Sequence, residues 1–119
     1  MASSTIQRDD AQVISMASTI EHHSNITDIE RFNIFRTGRV VIVEMTFTVG
    51  TAINETQAVL FSGLPNARNF MRFRIPHGYD STKSPLTLGI GGDGKIYNQW
   101  SNGGISTGQW AGQFSYICA

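Results

Sequence analysis

A short polar segment beside a proline carries the first candidate chemistry in this chain. The segment His77-Gly78-Tyr79-Asp80 follows Pro76 and offers an imidazole, a phenol and a carboxylate within one turn. Such groups can act as acids and bases or bind a polar ligand through hydrogen bonds. No nucleophile accompanies them, and the chain has no Gly-x-Ser-x-Gly elbow. The segment is therefore predicted to be either a ligand-binding loop or an ordinary polar turn.

The two tryptophans flank a second candidate region. Trp100 and Trp110 stand at either end of a glycine-rich segment that contains Asn102. An exposed indole beside short polar side chains is typical of sugar binding, because the flat ring stacks on a pyranose while the polar groups bond its hydroxyls. We expect Trp110 to lie in the core. For Trp100, a buried and an exposed position are both open.

Other motifs argue against catalysis and cofactor binding. Residues 89–94 match Gly-x-Gly-x-x-Gly, but the residues after them read as a strand, and a pyrophosphate site needs a helix there. The segment is therefore predicted to be a hairpin turn around Asp93-Gly94. His22 and His23 are adjacent, so their side chains diverge and do not suit one metal ion. We expect no enzyme activity, no cofactor and no metal.

A two-residue period predicts the elements that position these groups. In Arg39–Val49 every odd position from Val41 onward is apolar, while Glu44, Thr46 and Thr48 share the other face. Asp9–Glu21 reads as a weak helix or, preferably, a short strand. Further strands are predicted over residues 32–36, 56–61, 69–75, 86–90, 95–100 and 110–118.

Length and composition set the class. A chain of 119 residues is the size of one domain, which we place at residues 12–119 after a flexible lead-in of residues 1–11. Nine basic and nine acidic residues give zero net charge, which argues against a nucleic-acid partner. No apolar run approaches the ~20 residues of a bilayer span, so no membrane insertion is expected. The single cysteine, Cys118, is predicted to be a packing residue.

These strands predict an all-β fold, namely an antiparallel β-sandwich or small barrel of jelly-roll-like form. Some side chains do not match the polar character of their predicted faces. Apolar residues on such faces are expected where subunits meet. The candidates for a subunit interface are Val40, Ile42, Phe70, Arg72 and Arg74.

The order of several motifs resembles a known family. Phe35-Arg36-Thr37-Gly38-Arg39 leads into the Val-rich strand, the next strand ends in Gly63-Leu64-Pro65, a hairpin carries Asp93-Gly94-Lys95-Ile96, and the chain closes on Phe114-Ser115-Tyr116-Ile117. This order resembles the C-terminal head domains of receptor-binding and tail-fibre proteins from tailed bacteriophages, over residues 32–119. After Leu-Pro the family often has Gly-Phe-Arg-Pro, whereas this chain has Asn66-Ala67-Arg68-Asn69.

The resemblance implies a non-enzymatic homotrimeric head at a phage tail tip, in a virion or encoded by a prophage. Such a head would bind a host cell-wall saccharide and contact other tail or baseplate proteins. A structural virion module without a ligand is the alternative, and a cell-wall hydrolase is a third reading. The residues whose types suit a saccharide site are Trp100, His77, Tyr79, Asp80, Asp93 and Asn102.

Overall fold

A computed structural model describes residues 11–15, 20–80, 83–99 and 102–119. For residues 11–15 it describes the backbone. Within these ranges the chain forms nine β-strands in two antiparallel sheets. The four-stranded sheet has the order β1-β3-β4-β9, and the five-stranded sheet has the order β2-β5-β8-β7-β6. The strands are β1 Ala11–Ser15, β2 Glu21–His22, β3 Ile26–Thr37, β4 Val40–Val49, β5 Val59–Ser62, β6 Met71–Ile75, β7 Leu86–Ile90, β8 Ile96–Asn98 and β9 Gly108–Ile117.

The all-β prediction is confirmed, and the fold is a compact sandwich. The preference for a strand in the Asp9–Glu21 segment is also confirmed, since β1 and the start of β2 lie there. β1 begins at Ala11, the last residue of the predicted lead-in, and residues 1–10 lie outside the described part of the chain. No helix that could span a bilayer occurs in the described ranges.

The alternation in β4 determines which face of the four-stranded sheet is buried. Its odd residues Val41, Val43, Met45, Phe47 and Val49 are all at most 1% exposed, as the sequence predicts. β4 lies between β3 and β9 and pairs with β9 without a register shift from Val40↔Ile117 to Val49↔Gly108. Because side chains alternate across a strand, one face packs on the core and the other faces outward.

The five-stranded sheet consists of shorter and less regular strands. The strand predicted over residues 56–61 begins only at Val59, because Thr56 and Gln57 form a turn. β7 and β8 are joined through the predicted hairpin turn, in which Gly94 has a φ of +72°. That left-handed conformation favours glycine.

Aromatic and aliphatic side chains from both sheets fill a single core. Phe61 of the five-stranded sheet packs between Phe32 and Phe47 of the other sheet, with ring centroids 5.0 and 5.2 Å away. Phe73 stacks on Phe114 at 3.6 Å. Cys118 is buried, as predicted for a packing residue.

β6 and β9 join the two sheets along one side of the sandwich. His77 and Trp110 form an antiparallel bridge, and the Ala111 N–H donates to the Pro76 carbonyl at 3.2 Å. The sequence analysis did not predict this junction. Gly112 allows it, because a Cβ there would lie 2.7 Å from Cγ2 of Ile75. The gap that Gly112 leaves in the apolar face of β9 is therefore a close approach of the two sheets.

Candidate functional site

The outer face of the five-stranded sheet carries a groove of about 290 Å³. We call it the Phe70 groove. Its walls bring together a turn, the start of β6 and the strand β8, which are far apart in sequence. The lining residues are Gln57, Phe70, Arg72, Tyr97 and Gln99.

Phe70 presents an aromatic ring at the surface from a fixed position. The side chain is 51% exposed although it is large and apolar. Its ring lies directly over Gly89, where any Cβ would clash with Cζ of Phe70. The Arg72 guanidinium lies 5.6 Å from the ring centroid, within cation–π distance. The Phe70 ring therefore packs on the space that Gly89 leaves, and the Arg72 guanidinium contacts the ring as well.

Arg72 is itself oriented by a buried amide. Its Nε donates to Oε1 of Gln99 at 3.0 Å, and Gln99 is only 7% exposed. This bond uses one edge of the guanidinium and leaves the terminal nitrogens as donors. Because Gln99 is nearly enclosed, this bond holds the guanidinium against the sheet. The groove thus contains a preorganised donor beside an exposed ring.

Tyr97 closes the groove on the side of the β7–β8 hairpin. Its hydroxyl donates to Oδ2 of Asp93, while Oδ1 of Asp93 accepts from the Lys95 N–H at 3.1 Å. The bond from Tyr97 lowers the pKa of Asp93, and the same bond raises the pKa of Tyr97. Asp93, a predicted saccharide ligand, therefore holds the phenol in place from the hairpin turn.

Gln57 is the one non-glycine residue in the described ranges with a positive φ, at 59°. Non-glycine residues rarely adopt this region, and holding one there costs of the order of 1–3 kcal/mol. Such strained residues concentrate at ligand-binding sites. The strain at Gln57 coincides with its position in the groove wall.

A larger cavity of about 690 Å³ lies beside Leu86, where β7 begins. We call it the Trp110 cavity. Trp110 is 2% exposed, which confirms its predicted core position, yet its indole Nε1 has no hydrogen-bond partner. A buried unsatisfied donor costs about 1–3 kcal/mol. The described lining residues are Arg74, Lys83, Ser84, Pro85, Leu86, Thr87, Asn102, Gly104, Ser106 and Trp110.

The His77 turn is organised by its own imidazole. Nδ1 accepts from the Tyr79 and Asp80 N–H groups at 3.2 and 2.9 Å, so the ring proton sits on Nε2. Nε2 is buried without a partner, and the ring contacts Trp110 edge-on at 4.8 Å. Tyr79 is 82% exposed at the tip of the turn. His77 thus shapes the turn, and Tyr79 is its exposed group.

Asn102 lines the Trp110 cavity, but its amide is engaged within the protein. Oδ1 accepts from the Thr87 N–H at 3.0 Å, and Nδ2 donates to the Thr87 carbonyl at 2.7 Å. Nδ2 also donates to Oδ1 of Asn98 at 2.6 Å. The side chain therefore pairs with β7 as a neighbouring strand would, and this anchors the loop after β8.

The predicted saccharide residues do not converge on one point. Asn102 lines the Trp110 cavity, and His77 contacts the ring of Trp110. Asp93 instead bonds Tyr97 in the wall of the Phe70 groove. Trp100 lies outside the described residues.

The predicted interface residues divide between the sheets. Val40 and Ile42 are on the outer face of β4, and Phe70, Arg72 and Arg74 are on the outer side of the other sheet.

Sequence reasoning missed the groove as a site, although it had marked Phe70 and Arg72 for an interface. The contributions of Gln57, Tyr97 and Gln99 depend on how β8 pairs with β5 and β7. The one available signal was Phe70 on a strand face otherwise occupied by arginines. No group of three or more His, Cys, Asp or Glu residues in the described ranges is placed to hold a metal ion.

Comparison with known proteins adds no family to this geometry: no protein-family model matches the chain, and no curated protein shows significant similarity to it.

Proposed function

We propose that this domain is a non-enzymatic saccharide-binding head of the phage receptor-binding kind, and that the Phe70 groove holds the sugar. The observation that carries the proposal is the half-exposed Phe70 ring fixed beside a guanidinium and two amides. An exposed aromatic face stacks on the apolar C–H face of a sugar, and planar amide or guanidinium groups bond vicinal hydroxyls.

The size and polarity of the groove agree with this role. A volume of about 290 Å³ is at the small end of ligand sites, which span roughly 300–1,000 Å³, and suits a single sugar residue. The described lining contains no carboxylate. This lining favours binding over glycoside hydrolysis, which needs two carboxyl groups facing each other across the bond to be cleaved.

The opposite side of the sandwich supports a second role in assembly. Val40, Ile42 and Ile117 are 41–43% exposed on the outer face of the four-stranded sheet, and Val40 is directly opposite Ile117. We propose that copies of the chain meet at this face, in keeping with the homotrimer that the phage resemblance implies. Association there leaves the Phe70 groove open. An oligomer would then bind a polysaccharide more tightly than one copy does, because its linked sites raise the effective concentration of sugar at each groove.

A sugar titration tests the binding role. The ¹⁵N-labelled full chain is titrated with a panel of neutral monosaccharides and with solubilised bacterial wall polysaccharide while backbone amide shifts are followed. We expect saturable shifts at the groove, and at least a tenfold weaker affinity for Phe70→Ala, which corresponds to about 1.4 kcal/mol.

Tyr79→Ala is the matched control, because Tyr79 is also an exposed aromatic but lies at the His77 turn. It should bind as the unmodified chain does. Loss of binding in Tyr79→Ala with full binding in Phe70→Ala would move the site to the turn. No saccharide response in any variant would leave the structural module as the better reading.

Solution mass tests the assembly role. Light scattering should report an oligomer for the unmodified chain and a monomer for Ile42→Lys, because a buried charge at a subunit contact is costly. A monomer for the unmodified chain at all concentrations would contradict the proposed assembly and leave the sugar site untouched.

A further inference from the structure

The Trp110 cavity differs from the Phe70 groove in its charge. Its described lining includes Arg74 and Lys83 and no Asp or Glu. The whole chain balances nine basic against nine acidic residues, so a wall with two basic and no acidic residues among its described lining is a local concentration of positive charge. We propose that the Trp110 cavity is a second binding site, which takes the oxyanion of a ligand: a carboxylate or a phosphate group.

The two cations are available for a ligand. Arg74 is exposed on β6, opposite Thr87 of β7. Among the described residues, neither Arg74 nor Lys83 forms a salt bridge with a carboxylate. A guanidinium that is not paired with a carboxylate presents its fork of donors to an incoming anion, and this fork matches carboxylate and phosphate geometry.

The buried wall supplies an independent indication of a ligand. Trp110 is 2% exposed, lines the cavity, and has an indole N–H with no partner. Indole is a donor only, so an acceptor is needed to satisfy it. Natural proteins leave few buried donors unpaired, and each such case calls for an explanation. An oxyanion is the acceptor that the neighbouring positive charge would favour.

The remaining polar groups complete a donor-rich wall. Ser84, Thr87 and Ser106 contribute hydroxyls that can donate to an anion. Asn102 is engaged with β7 and keeps the loop beside the cavity in place. The site is thus defined by two cations and one indole, with hydroxyls around them. This inference does not depend on sugar binding in the Phe70 groove.

The indole N–H of Trp110 provides a direct readout. The chain has two tryptophans, so a ¹⁵N-labelled sample gives two indole cross-peaks, and Trp100→Phe assigns them. At constant ionic strength the full chain is titrated separately with sodium phosphate, sodium glucuronate and glucose. We expect a saturable shift of the Trp110 indole peak with the anions and none with neutral glucose.

The variant pair Arg74→Gln with Lys83→Gln should weaken the saturable response at least tenfold. Lys95→Gln is the matched control, since it removes one cation at the β7–β8 hairpin, away from the cavity. An unchanged spectrum outside the cavity establishes that each variant is folded.

The anion arms identify the source of the group. A response to phosphate alone assigns a phosphate ligand, a response to glucuronate alone assigns an acidic sugar, and a response to both assigns an oxyanion of either kind. An indole peak that does not move with either anion would overturn the proposal. An equal response to glucose, or in the double variant, would overturn it as well.

Discussion

In the four-stranded sheet β3, β4 and β9 run for 12, 10 and 10 residues, whereas the described strands of the five-stranded sheet have two to five residues. The outer face of the long strands carries the exposed apolar side chains Val40, Ile42 and Ile117. The outer side of the short strands carries the Phe70 groove and borders the Trp110 cavity.

Strand length explains this difference. β4 and β9 pair in an unbroken register, so they present their side chains as a regular surface. A short strand ends early, so turn residues such as Gln57 and loop residues such as Asn102 stand beside the sheet and form concave walls. The four-stranded sheet is therefore suited to stability and assembly, and the five-stranded sheet to ligand binding. Four sets of substitutions follow from this division.

The largest expected effect is a loss of stability from a substitution in the four-stranded sheet. Phe47 is fully buried in β4, and Phe47→Ala should lower the free energy of unfolding by about 3–5 kcal/mol, because it leaves a cavity as well as removing apolar contact. Phe73 in the five-stranded sheet is only partly buried, and Phe73→Ala should cost about 1–2 kcal/mol. Urea unfolding of both variants measures the difference. Equal losses would contradict the expectation that the cost follows the burial of each ring.

The two hairpin glycines provide the next comparison. Gly38 between β3 and β4 has a φ of +58° and open space around it, so Gly38→Ala should cost about 1–2 kcal/mol for its backbone conformation alone. At Gly94 between β7 and β8, a Cβ would also clash with the Leu64 carbonyl oxygen. Gly94→Ala should therefore cost about 1–3 kcal/mol more. Thermal unfolding of the pair checks this order.

Asn102 tests how the cavity loop is held. Asn102→Ala removes three hydrogen bonds and leaves the Thr87 N–H without its partner, while the Thr87 carbonyl keeps its bond from the Gln99 N–H, so it should cost about 1–3 kcal/mol. Asn69→Ala is the control at an exposed asparagine and should change the unfolding free energy by about 0.5 kcal/mol or less. A loss below that limit for Asn102→Ala would show that the loop is held by other contacts.

The smallest expected effect concerns the pH dependence of the Asp93–Tyr97 pair. The folded state lowers the pKa of Asp93, so the contribution of the pair to stability is present above about pH 4 and is lost as the pH falls through the lowered value. It raises the pKa of Tyr97, so the contribution is also lost as the pH rises above about 10. Tyr97→Phe should therefore be less stable than the unmodified chain at pH 7, and the difference should shrink at pH 2.5.

Unfolding midpoints in urea at both pH values measure this effect. Asp93 is exposed and Tyr97 is only partly buried, so solvent screening keeps the effect small. A difference between the two chains that is constant with pH would show that the hydroxyl acts through packing alone.

The sequence was most informative where local pattern and tertiary burial agree. The alternation from Val41 to Val49 predicts the buried face of β4, and the Asp93-Gly94 turn follows from local conformational preference. The Phe70 groove could not be predicted in the same way, because Gln57, Arg72 and Gln99 meet only through strand pairing at long range. Residue type also did not reveal that the amide of Asn102 is engaged with the Thr87 backbone.

The way in which Asn102 pairs with β7 has a consequence for how this surface can vary. One side chain satisfies the Thr87 N–H and shares the Thr87 carbonyl with the Gln99 N–H, in place of a continuing strand. Insertions or exchanges in the segment after Asn102 would therefore leave the hydrogen bonding of β7 intact as long as the asparagine is kept. A library that randomises Ser106 and Thr107, with Asn102 and the buried Ile105 kept, is a direct route to new ligand preferences on an unchanged sandwich.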